Sequence, residues 1–213
     1  MTKRYTWRHD SVLANIEPFL RKLLDRWNAL PMNAGNVPHI SKSFVAEGEE
    51  IKTNALPTRQ TSLLDGARDW NCLVDYDHCR IVFPPEICGT SERPDIVIWS
   101  LVFRTVILIE LTCPAEEGIE PAEIRKRARY KPLCAQIQSS KPPWTPILIT
   151  IEVGARGFVA HSLRRCFKRL GMERREINAL CKQLSEVAAR CSYAIFLART
   201  SKEWRQSALI TIQ

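Results

Sequence analysis

Two short apolar runs constrain this chain more than any other feature. Ile96-Val97-Ile98-Trp99-Ser100 and Thr105-Val106-Ile107-Leu108-Ile109-Glu110-Leu111-Thr112 are rich in β-branched residues and too short for helices, so each reads as a central strand. The wider apolar stretch, residues 96–113, is interrupted by Arg104 and Glu110 and makes no comfortable bilayer span. A turn near Phe103 and Arg104 folds the two strands against each other. Asp95 opens the first strand and Glu110 sits near the end of the second, so the turn brings both acids to one end of the sheet.

The flanking segments supply helices. Val12, Leu13, Ile16, Phe19, Leu20, Leu23 and Leu24 recur at helical spacing over residues 10–27, with Asp10 or Ser11 as cap and Pro18 straining or dividing the helix. Residues 31–57 mix Asn, Gly, Pro and Ser and read as an irregular connector with one short strand at Phe44-Val45. Strands are expected over 70–76 and 80–83, and a helix from Pro121 through Tyr130 that breaks or kinks at Pro132. Another strand spans 147–153 and stops at Gly154. Helices follow over 162–170 and 174–190, and residues 194–197 close the pattern as a strand or a helix end. The expected fold is α/β: a mixed central sheet flanked by helices over residues 61–213, preceded by a helical and loop extension over residues 1–60.

The chain has 213 residues, 45% of them hydrophobic, enough for one real core. Lys and Arg number 31 against 23 Asp and Glu, a net charge of +8, and the pI is near 9.2; this balance favours a polyanionic partner. The polar start Met-Thr-Lys-Arg-Tyr-Thr-Trp has no secretory h-region, so the expected location is nuclear, or cytoplasmic before import, and not secreted. Eight cysteines are scattered without a CxxC pair. Cys72, His78 and Cys79 are the least implausible zinc seed, but incidental thiols are the better reading.

Asp95 and Glu110 carry the chemistry. Both interrupt apolar runs, and burying a carboxylate with no partner or metal is expensive. Hydrolysis of a phosphodiester uses a hard divalent cation, for which carboxylate oxygens are suitable ligands. Thr112 shares the face of Glu110 and supplies no cation. The nearest cations lie on the following helix, where Lys126 sits among Arg125, Arg127, Arg129 and Lys131 and shares a face with Tyr130. The bland alternative makes Asp95 a turn cap, Glu110 an arginine partner and the basic cluster a solvated face.

In order along the chain, Arg93-Pro94-Asp95, Glu110-Leu111-Thr112-Cys113-Pro114 and the segment from Lys126 to Tyr130 resemble the PD-(D/E)xK superfamily. Specifically, they resemble the restriction-like endonuclease domain of non-LTR retrotransposons, where the lysine is commonly displaced from the strand to the next helix. Tyr5-Thr-Trp-Arg8-His9-Asp10-Ser-Val12-Leu13 and Glu152-Val-Gly154-Ala-Arg156-Gly157-Phe158 are similar to further segments of that family. The resemblance implies a restriction-endonuclease-like core that nicks double-stranded DNA with Mg2+ or Mn2+ and leaves a 3′-hydroxyl to prime reverse transcription. A reverse transcriptase domain in a longer parent protein is the implied partner. Asp95, Glu110 and the Leu111 carbonyl would then hold the metal. Lys126 would stabilise charge, unless Arg125 or Arg127 turns inward instead, and Tyr130 would support it.

Arg125, Arg127, Arg129, Arg156, Arg164 and Lys168 are the expected DNA contacts, with Arg164, Arg165, Lys168 and Arg169 forming a stripe at i,i+4 spacing. His9, His39, His78 and His161 are isolated in sequence, and His9 reads as a helix-start contact to Asp10. Trp99, Trp144 and Trp204 read as packing residues, and Asp75 and Asp77 as solvent-facing. Two rival readings keep the basic charge without the reaction: an inactive DNA-binding or interaction module descended from a retroelement, and an RNA-binding accessory protein, which the missing interleaving of aromatic and basic residues disfavours.

Overall fold

The computed structural model describes residues 3–31, 62–76 and 82–200. The two apolar runs form β2 (Ile96–Ser100) and β3 (Thr105–Thr112), paired antiparallel with Ile96 opposite Ile109. Residues 101–104 make the turn between them, and Arg104 accepts a positive φ of 46° there. β1 (Asn71–Val74) adds antiparallel to β2, and β4 (Thr145–Glu152) adds parallel to β3, giving a mixed sheet in the order β1-β2-β3-β4. The parallel pair requires a crossover, supplied by α2 (Ile119–Gln138). Four strands flanked by helices make the fold α/β.

Alternation along the strands creates two faces. Ile107, Ile109 and Ile151 point into the larger core with α1 (Lys3–Asn28), α3 (His161–Arg169) and α4 (Arg174–Leu197). Val97, Trp99, Val106 and Leu108 point the other way, onto Tyr130, Leu133 and Ile137 of α2, where Trp144 also packs. Trp99 and Trp144 are thus core residues; Trp204 lies outside the described residues.

Several elements depart from expectation. α1 starts at Lys3, so Asp10 and Ser11 are interior residues, and Ser11 Oγ donates to the Trp7 carbonyl rather than capping. Pro18 does not divide the helix. Its ring sits on the exposed side, and burial of Val12, Leu13, Ile16, Leu20, Leu23 and Leu24, roughly 1.5–3 kcal/mol each, outweighs an interior proline's cost of about 3 kcal/mol. α2 likewise runs through Pro132, held by Leu133 and Ile137 beyond it. Residues 194–197 are the helical end of α4, and Val82 and Phe83 are not in a strand. The short strand at Phe44-Val45 lies outside the described residues, as do Arg80 and Ile81.

α1 is not an appendage. It runs antiparallel to α4, with Arg8 against Ser192, Asn15 against Gln183 and Arg26 against Glu176, and it closes the larger core. No described helix is long and apolar enough to cross a membrane.

Candidate active site

Asp95 directly precedes β2 and, by the register, faces Glu110. The two acids are locked by each other's backbone. The Asp95 amide donates to Glu110 Oε1 at 3.1 Å, and the Leu111 amide donates to Asp95 Oδ2 at 2.8 Å. Glu110 is fully buried. A backbone N–H and C=O of one strand residue face the same neighbour. Thr112 gives its carbonyl to Val153 on the β4 side, so Leu111 presents its own carbonyl toward Asp95.

Lys126 is the cation that turns inward. It belongs to a stripe at intervals of three and four, Ala122, Lys126, Tyr130, Leu133 and Ile137, whose other members are buried against the sheet. Its Nζ lies 2.5 Å from Glu110 Oε2 and 3.6 Å from Asp95 Oδ2. Tyr130 donates its hydroxyl to the Arg93 carbonyl at 3.0 Å, fixing the approach to Asp95. Burial and the nearby Glu110 carboxylate push the Tyr130 phenol well above its usual pKa, so it acts as a neutral hydrogen-bonding group.

His9 is the member that sequence reading missed. Rather than marking a helix start, it bridges two acids from the first turns of α1, with Nδ1 3.1 Å from Asp10 Oδ1 and Nε2 3.3 Å from Asp95 Oδ2. Burial lowers its pKa, but the hydrogen bonds to Asp10 and Asp95 overcome that and raise it to about 9. Arg8 seats this end of α1: its guanidinium donates to the Cys113 carbonyl at 2.5 Å and to Ser192 Oγ at 2.9 Å. The sequence signals were the adjacency Arg8-His9-Asp10 and the family-like segment around it, neither of which reveals a partner 86 residues away.

The two central acids divide their ionisation. Burial and the charge of Asp95 raise Glu110 to about 7. Asp95 is also penalised by burial, yet His9 and Lys126 hold it below the usual carboxylate range. Oxygen donors converge here: two carboxylates and one carbonyl edge. No group of three or more His, Cys, Asp or Glu able to hold a metal occurs among the described residues. A hydrated Mg2+ does not need one, since one or two carboxylates with water and phosphate complete its shell. The donor set fits such an ion.

A cleft of about 420 Å³ opens beside these groups, with Arg125 and Lys126 on one wall and His9, Asp75 and Arg93 on another. Asp75 is not simply solvent-facing, because it pairs with Arg93 at 2.5 Å. The other expected DNA contacts are not gathered here. Arg127 pairs with Glu123, Arg129 with Glu92, and Arg156 with Glu116 and Glu117. Arg164 and Lys168 line a separate hollow with Met172 and Asn178. Seven described cysteines are thiols; Cys79 and His78, like Asp77 and His39, lie outside the described residues. No family model, curated protein or solved structure matches the chain.

Proposed function

We propose that this chain is a metal-dependent endonuclease with a restriction-endonuclease-like core, which nicks double-stranded DNA as the target-cleaving domain of a non-LTR retroelement. The observation that carries the reading is the clasp of Asp95 and Glu110 at the open end of β2 and β3, bridged by Lys126 from the next helix. Asp95, Glu110 and the Leu111 carbonyl would hold Mg2+ or Mn2+. Such an ion, when bound, lowers the pKa of water and neutralises phosphate charge.

The chain's own groups supply the rest. Lys126 presents an ammonium where negative charge grows on the phosphate as water adds and the bond to the 3′ oxygen breaks. Leu111 N–H and His9 fix the orientation of Asp95. Tyr130 holds the Arg93 carbonyl and keeps the strand entry rigid. Arg125, on the wall of the same cleft, would meet the DNA backbone.

Incubation of supercoiled plasmid with the protein and Mg2+ or Mn2+ tests this. Expected are open-circular product with a 3′-hydroxyl, loss of nicking in Asp95→Ala and Glu110→Ala, and a reduction of about 10²-fold in Lys126→Ala. Nicking that persists in both acid variants would sink the proposed site. Salt-sensitive duplex binding without any nicking would instead identify an inactive binding module.

A further inference from the structure

A second cleft, of about 330 Å³, lies between α2 and α3 along β4, within the size range of small-ligand pockets. Its floor contains buried acceptors that the fold leaves unused. Glu152 is 1% exposed; Ser162 donates to its Oε2, whereas its Oε1 has no partner. Thr150 is 2% exposed, and its hydroxyl lies near the Glu152 carboxylate without a hydrogen bond of full geometry. The Thr150 hydroxyl can donate or accept, but Glu152 Oε1 as a carboxylate only accepts; a buried acceptor left unsatisfied costs about 1–3 kcal/mol, so the floor suits a donor at Glu152. The rim has the opposite character. Arg165 and Arg169 stand four residues apart on α3, and Arg127 reaches in from α2, where Glu123 holds it.

We propose that this cleft binds an unpaired nucleotide, taking the amino group of its base at Glu152 Oε1 and Thr150 Oγ1 and its phosphate at Arg165 and Arg169. A deep acceptor floor under an arginine rim suits a molecule with a donor at one end and a dianion at the other. An exocyclic amino group, as on cytosine or adenine, supplies that donor; thymine offers a carbonyl at the same position. Thr150 is the register neighbour of Glu110, one strand away from the acid pair. A nucleotide in the cleft would therefore lie beside the strand being cut. The inference rests on the nuclease reading only for where the nucleotide comes from.

Isothermal titration of the full chain in EDTA, with dCMP, dTMP and inorganic phosphate as probes, tests the site without cleavage. Expected is saturable dCMP binding, about tenfold tighter than dTMP or phosphate. Glu152→Gln places an amide where Oε1 stands and should erase or reverse the preference for dCMP over dTMP while the protein still unfolds in one cooperative thermal transition. Arg165→Ala should weaken dCMP and phosphate alike, by about threefold or more, and Lys126→Ala should change neither. No saturable binding, equal affinities for dCMP and phosphate that Glu152→Gln leaves unmoved, or loss of dCMP binding in Lys126→Ala would each overturn the proposal. None of these outcomes depends on plasmid nicking, so the two readings fail separately.

Discussion

Side chains along β3 and β4 show how one sheet face holds two kinds of buried acid. Glu110 is satisfied by the Asp95 amide and by Lys126, whereas Glu152, two positions further along the neighbouring strand, keeps one oxygen unpaired. Burial and the charge of Glu123 raise the Glu152 pKa, and the Ser162 and Thr150 hydroxyls together with Arg127 do not fully offset them. Its folded pKa therefore lies above its unfolded value. The associated stability is present below the unfolded carboxylate range and is lost as pH rises through the folded value. Glu152→Gln removes this penalty, so its melting temperature should gain progressively on the parent as pH rises above the unfolded carboxylate range, about pH 4, by about 2–4 °C for each ~1 kcal/mol. Paired thermal melts over that rise check it; a gap independent of pH would contradict it.

At the level of elements, what the sequence could reveal depended on how far apart the cooperating residues were. The hairpin of β2 and β3 was legible because both strands and their turn are contiguous, and so was the convergence of Asp95 and Glu110. The placement of Lys126 was half legible. Its spacing from Tyr130 was visible, but Arg125 and Arg127 remained alternatives until the buried stripe from Ala122 to Ile137 set the helix's rotation. Prolines misled for a physical reason: Pro18 and Pro132 each cost a hydrogen bond locally, while tertiary burial on either side holds the helix together. Replacing Pro18 by Ala restores that bond on an exposed turn. It should raise unfolding free energy by about 1–3 kcal/mol in urea denaturation. No gain would mean that the helix is bent there to fit α4. His9 was illegible because its partner comes from the far side of the connector.

For the molecule as a whole, α1 is both a wall of the larger core and the carrier of His9. A fragment beginning at residue 61 would retain the acid pair and Lys126 while uncovering the face that α1 occupies on α4. Such a fragment should lose cooperative thermal unfolding and bind a hydrophobic dye such as ANS, which circular dichroism and fluorescence would reveal. A sharp melt matching the full chain would show α1 to be dispensable.

The contact between Arg8 and Ser192 joins residues 184 positions apart. At a synthesis rate of about 5–20 residues per second, the first helix leaves the ribosome roughly 10–40 s before its partner exists. During that interval the side that packs on α4 lacks that partner, although Leu64, Trp70 and the strands that share its core are already made. The helix that places His9 at the acid pair is thus made before every other described element and is fully seated only once α4 has been made.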